Sequence, residues 1–198
     1  MSSFLDLPAE LRNQVYGYIA IPHTVPLSSY IGLYLSCRQI RTEMDSECAK
    51  VFRQYLGTFQ YQLQDAHLDM PETFAEMQHV RLHVTPITAS NLVRWFDEST
   101  ALFPLHLASL SIIHDFSEEL PLSRQTSDLI LLLGDEICDQ LTTGAAKSEQ
   151  IRIESLWSSE EAAKAFIHRH PGYEFQTPEW TFSWEVGSEG ALCGLWKK

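Results

Sequence analysis

The chain has 198 residues, 44% of them hydrophobic and 20% charged. That is enough for one domain, or a small module plus one domain, around a sizeable core, and too apolar for a disordered chain. Its formal net charge of −12, with Lys and Arg scattered, would repel a phosphate backbone, so no nucleic-acid partner is expected.

The N-terminus lacks a basic stretch followed by a continuous apolar run, so no signal peptide is expected. The longest apolar run, Leu129 to Leu133, is far short of the ~20 residues that span a bilayer, and no membrane partner is expected. Cys37, Cys48, Cys138 and Cys193 show neither zinc spacing nor a Cys-x-x-Cys pair. They read as reduced thiols of a cytoplasmic or nuclear protein.

In chain order, Leu7-Pro8 opens a helix, with Asp6 as N-cap and Glu10 at the positive end of the helix dipole. Leu11, Val15 and Tyr18, with Ile19 beside it, recur at helical spacing, and Pro22 ends the segment. After a polar spacer, Leu33, Cys37, Ile40, Met44, Cys48 and Val51 mark a second amphipathic helix running to about Phe52. These two helices cannot bury their apolar faces on each other alone.

Strict alternation in Phe59-Gln60-Tyr61-Gln62-Leu63 predicts a strand, and Met70-Pro71-Glu72 opens a short helix carrying Phe74 and Met77. Val80 to Val84 alternates again. Ser90 caps a helix with Leu92, Trp95, Phe96 and Leu102, and Leu107 to Ile113 is the next strand. Asp115 to Ser127 is polar and reads as a loop. Leu129, Leu132, Leu133, Ile137 and Leu141 lie on one face of a helix ending at Thr143-Gly144. Ile151 to Ile153 is a short strand, Glu160 to His168 a helix, and Trp180 to Val186 an alternating strand with Trp180, Phe182, Trp184 and Val186 inward. This last strand is expected to cover an edge of the sheet.

The resulting fold class is mixed α/β: an N-terminal helical module (1–56), then alternating strand–helix units (57–198) forming a mostly parallel sheet. Met77…Val80…Leu82, Leu107…Leu110…Ile112 and Ser148…Ile151…Ile153 share one spacing. That spacing resembles an irregular leucine-rich-repeat strand, although the intervals exceed the usual ~20–29 residues. A small open sheet without repeat ancestry fits the same strands.

The opening Leu7-Pro8-x-Glu10-Leu11, with Val15 and Ile19 one and two turns on and Leu33…Cys37-Arg38…Arg41 later, resembles the F-box. The variant Glu-Leu-Arg-Asn-x-Val-Tyr…Cys-Arg-Gln-Ile-Arg-x-Glu is similar to the short F-box-like proteins of filamentous fungi. The resemblance covers roughly the first quarter of the chain, and the joint Pro22 to Tyr30 is longer than in the usual F-box. It implies helices that dock on the Skp-type adaptor of a cullin (SCF) ubiquitin ligase, with the remainder capturing a protein substrate. Leu7, Pro8, Leu11, Val15, Ile19, Leu33, Cys37 and Ile40 would form that adaptor surface.

No constellation of catalytic residues is present. Gly-x-Ser-x-Gly and a phosphate-cradling Gly-rich loop are both absent. His79 and His83 flank Arg81 on one face of a strand without further ligands, and Asp135, Glu136 and Asp139 read as a solvated helix face. No cofactor, metal or catalytic residue is expected. Contacts to the unknown protein substrate are expected at Asp115, Glu118 and Glu119 in the acidic loop, and at Trp157 and Trp196. The functional expectation is therefore a non-enzymatic substrate receptor. The competing classes are an F-box-like scaffold without adaptor binding and a small α/β enzyme with an unrecognised site.

Overall fold

A computed structural model describes residues 4–63, 66–84, 100–115, 124–156, 160–169, 179–186 and 191–198. The expected helix at Ser90 lies outside them except for a 3-10 turn at Thr100–Leu102. Glu118, Glu119 and Trp157 lie outside them entirely.

The N-terminal helices are α1 (Ala9–Ile19), α2 (Ile31–Tyr34) and α3 (Arg38–Gln62). The residue at the N-cap of α1 is Pro8, not Asp6; its carbonyl accepts from Leu11 and Arg12 N–H. The second expected helix is two. Cys37 is extended (φ −161°, ψ 163°), which separates α2 from α3.

The strand expected over Phe59–Leu63 is the last turn of α3. Phe59 and Leu63 are four residues apart, so they meet a helical period as well as an alternating one, and Tyr61 between them is 90% exposed. The buried series Cys48, Phe52, Leu56, Leu63 carries the helical register through. The helix expected after Met70-Pro71 is a turn followed by a 3-10 segment, Glu76–Gln78. Glu76 accepts from Glu72 and Thr73 N–H there, closing the turn locally.

The strands are β1 (Ala66–Leu68), β2 (His79–Val84), β3 (Ser109–Asp115), β4 (Gln150–Leu156), β5 (Thr181–Val186) and β6 (Ala191–Lys197). Two more helices, α4 (Arg124–Thr142) and α5 (Glu160–Arg169), connect them. The sheet order is β1-β2-β3-β4-β6-β5. Only β2-β3 and β3-β4 are parallel; the other three pairings are antiparallel. The expected mostly parallel sheet is thus a mixed one with a parallel centre. The reason lies in two strands that sequence reading missed: β1, antiparallel to β2, and β6, antiparallel to both β4 and β5. A short return follows β5, and a short return joins antiparallel strands.

The three similarly spaced segments form that parallel centre. Val80, Leu110 and Ile151 lie in one row, Leu82, Ile112 and Ile153 in the next. Ala108 N–H donates to Gln78 O and Glu149 N–H to Leu107 O, so successive units repeat the same link.

One face of the sheet is apolar and joins α3 and α4 in a continuous core from Tyr16 to Trp196. A smaller cluster joins Ile130 of α4 and Phe166 of α5 to Leu192 of β6. The other face carries His79, Arg81 and His83 on β2, Ser109 and Ser111 on β3, and Arg152 and Glu154 on β4. Residue 56, the expected end of the helical module, lies inside α3, and the core runs through that boundary. In β5 the expected alternation holds: Phe182, Trp184 and Val186 are half-buried, and Thr181, Ser183 and Glu185 exposed. β5 itself is the edge strand and β6 lies inside it.

Candidate functional site

Helix α1 carries two stripes. At about 100° per residue, Arg12, Tyr16 and Ile19 cluster on one side of α1, and Leu11 and Tyr18 lie together roughly 120° round from them, with Leu7 just before the helix start. The first three are buried. Leu11 is 45% exposed and Tyr18 87%.

The inward stripe is held by a carboxylate on α3. Arg12 donates from Nε to Glu43 Oε2 (2.9 Å) and from Nη2 to Oε1 (2.7 Å), a two-point guanidinium–carboxylate pair. Tyr16 Oη donates to Glu43 Oε2 at 2.8 Å, and Gln39 Nε2 to Oε1 at 3.0 Å. These donors, Arg12 foremost, hold the Glu43 carboxyl down at about 2. Burial, reinforced by the bond to Glu43, pushes the Tyr16 phenol well above its ordinary value.

A second pin ties α2 and α3 to the sheet-bearing part. Asp45 Oδ1 accepts from Tyr34 Oη and from the Phe74 backbone N–H, each at 3.0 Å. Arg41 lies over the Tyr34 ring at 5.3 Å.

The expected adaptor residues divide accordingly. Leu7, Pro8 and Leu11 are exposed. Val15, Leu33 and Cys37 are half-buried and lean on the core. Ile19 and Ile40 are a correction: they are 6% and 4% exposed, committed to the core because they share the inward side with Tyr16 and Met44. The outward set gains Tyr18, Val25, Ile31 and Leu35, the last 65% exposed. Tyr18 was legible, seven residues and two turns beyond Leu11. Leu35 was not: it is the C-cap of the short α2, two residues past Leu33 and off the stripe that the spacing marks.

Among the expected substrate contacts, Asp115 ends β3 opposite Leu156 of β4. Trp196 is a second correction. It is fully buried, packed at 4.5 Å between ring centroids on Phe182, because its face of β6 joins the main core beside Ile151.

Other chemistry is limited among the described residues. Burial raises the Cys48 thiol to about 12 and the Cys193 thiol to about 11, so neither supplies a thiolate near neutrality. The four cysteines are not paired with one another. No group of three His, Cys, Asp or Glu residues is placed to hold a metal, and no helix is long and apolar enough to cross a membrane, among the described residues. No protein-family model, curated protein or solved structure matches the chain.

Proposed function

We propose that the protein is an F-box-like interaction protein, a substrate receptor that docks on the Skp-type adaptor of a cullin ubiquitin ligase. The docking face is assigned to the exposed apolar residues Leu7, Leu11 and Tyr18, with Ile31 and Leu35 of α2 as further candidates. The remaining surface holds a protein target. The observation that carries this reading is the exposure of Leu11 and Tyr18, two turns apart on a helix whose neighbouring side, Arg12, Tyr16 and Ile19, is already buried against the fold. Such a stripe has no use inside the fold and suits a helix-in-groove contact. The three stacked units around β2, β3 and β4 are an irregular leucine-rich-repeat-like array that serves as the recruiting body. Catalysis by the assembly is tethering, which raises the target's effective concentration near the charged enzyme.

Size exclusion with light scattering on a mixture with a matching Skp-type adaptor tests this. A 1:1 complex is expected, lost in Leu11→Asp while circular dichroism of that variant stays unchanged. Separate elution of two folded proteins overturns it. That outcome supports the scaffold reading, which the burial of Ile19 and Ile40 favours, since it removes two residues of the usual docking surface.

A further inference from the structure

A cavity of about 380 Å³ opens at the β1–β2 edge, lined by Asp69, Met70, Pro71, Glu76, His79 and Arg81. Its two carboxylates are engaged within the fold. Asp69 Oδ2 lies 3.2 Å from His83 Nε2, and Glu76 Oε2 accepts the backbone N–H groups of Glu72 (2.7 Å) and Thr73 (3.3 Å). The backbone donors hold the Glu76 carboxyl below its ordinary value. His79 Nδ1 is bonded to Ser109 Oγ at 2.8 Å, which leaves Nε2 as the ring atom open to a ligand. Arg81 is exposed and no carboxylate among the described residues engages its guanidinium. The remaining wall is apolar: Pro71 is buried and Met70 half-buried. The pocket therefore offers one unspent cation with a planar donor fork, one imidazole nitrogen, and a small apolar surface.

We propose that this pocket binds a carboxylate carried on an apolar body, with Arg81 taking the carboxylate through two N–H donors and Met70 and Pro71 covering the apolar part. A peptide ending in an apolar residue and a free organic acid share that chemistry, and the volume is in the range of small-ligand sites. The two lining carboxylates oppose an anion at short range, so the ligand's carboxylate sits on Arg81 away from Asp69 Oδ2 and Glu76 Oε2, which are turned to His83 and to the Glu72 and Thr73 N–H groups. The rest of the −12 charge is screened by salt beyond about 8 Å at physiological ionic strength. The site is separate from the α1 face and stands whether or not that face docks an adaptor.

The test is a chemical-shift titration of the full chain with N-acetyl-leucine, N-acetyl-leucinamide, and an N-acetylated hexapeptide ending in leucine with a free or an amidated C-terminus. Saturable shifts centred on residues 69–81 are expected with both acids and with neither amide. Arg81→Ala, at an exposed side chain, should weaken binding at least tenfold, and Arg81→Lys less. A peptide acid binding much more tightly than N-acetyl-leucine assigns the site to peptide C-termini; equal affinities assign it to free acids. Amides that bind as well as acids, shifts that do not saturate, or Arg81→Ala binding like the parent overturns the proposal. Leu11→Asp should leave this titration unchanged, and Arg81→Ala should leave adaptor binding unchanged, so failure of one reading does not mimic failure of the other.

Discussion

Glu43 is the residue on which the N-terminal geometry turns. It lies 31 positions from Arg12, and it completes the Glu-Leu-Arg-Asn-x-Val-Tyr…Cys-Arg-Gln-Ile-Arg-x-Glu pattern whose members Arg12 and Tyr16 it binds. The pattern was visible in the sequence; that four of its residues, Arg12, Tyr16, Gln39 and Glu43, form one intramolecular cluster was not, because nothing in local spacing pairs the two halves. Glu43→Ala leaves the buried Tyr16 hydroxyl without its acceptor, a loss of about 1–3 kcal/mol, measurable by urea unfolding. Its folded-state pKa is depressed, to about 2, so its contribution is present above the unfolded carboxylate value near ~4.3 and fades as pH falls through the folded one. The parent should therefore lose stability steadily between about pH 4.5 and 2, and Glu43→Gln should show a shallower loss over that window.

Gly194 answers to the same logic of close approach. A Cβ placed there would meet the Trp184 ring at 2.9 Å and Phe182 at 3.2 Å. Both rings pack against further aromatics and have little room to withdraw. Gly194→Ala should cost about 1–3 kcal/mol as an overpacked contact, seen as a lowered melting temperature. A melting temperature equal to the parent's would mean that the rings yield freely.

At the scale of elements, periodicity located most of the chain. β2, β5, α4 and α5 lie where alternation or helical spacing put them, with ends shifted by a few residues. β1 escaped because three residues are too few to show a period, and two other elements escaped for opposite reasons. The end of α3 satisfied both a period of two and a period of four, and the core chose the helix. β6 showed no alternation at all. Leu192 and Trp196 pack into the core on one face, while on the other Leu195 is buried and Ala191 and Cys193 are half-buried apolar residues, so no polar residue marks the outer face until Lys197. Helix α1 carries the most consequential ambiguity. Its apolar residues read as one stripe in sequence but are two stripes in space, one for the core and one facing outward. Asp45 is the joint between the helices and the turn before β2. Asp45→Ala strips the acceptor from the part-buried Phe74 N–H and should cost about 1–3 kcal/mol in chemical denaturation.

For the whole molecule, the helical N-terminus and the sheet share one core, in which Phe52, Leu56, Phe74 and Leu82 are all buried. The boundary drawn near residue 56 followed the extent of a motif, whereas folding follows the extent of buried surface. Residues 1–63 produced alone should lack stable helix by circular dichroism, because each large apolar side chain of α3 forfeits roughly 1.5–3 kcal/mol of burial without the sheet. The full chain should unfold in one transition, coincident by far- and near-ultraviolet dichroism. Two separated transitions would restore an independent module.

The central claim is that the outward side of α1, rather than its inward side, is the docking face. Titration calorimetry of a Skp-type adaptor into the parent, Leu11→Asp and Ile19→Val tests it most directly. Binding to the parent is expected, with a loss of tenfold or more in Leu11→Asp and none in Ile19→Val, whose side chain stays in the core. Equal affinity of Leu11→Asp and the parent, or no binding heat from the parent, would contradict it.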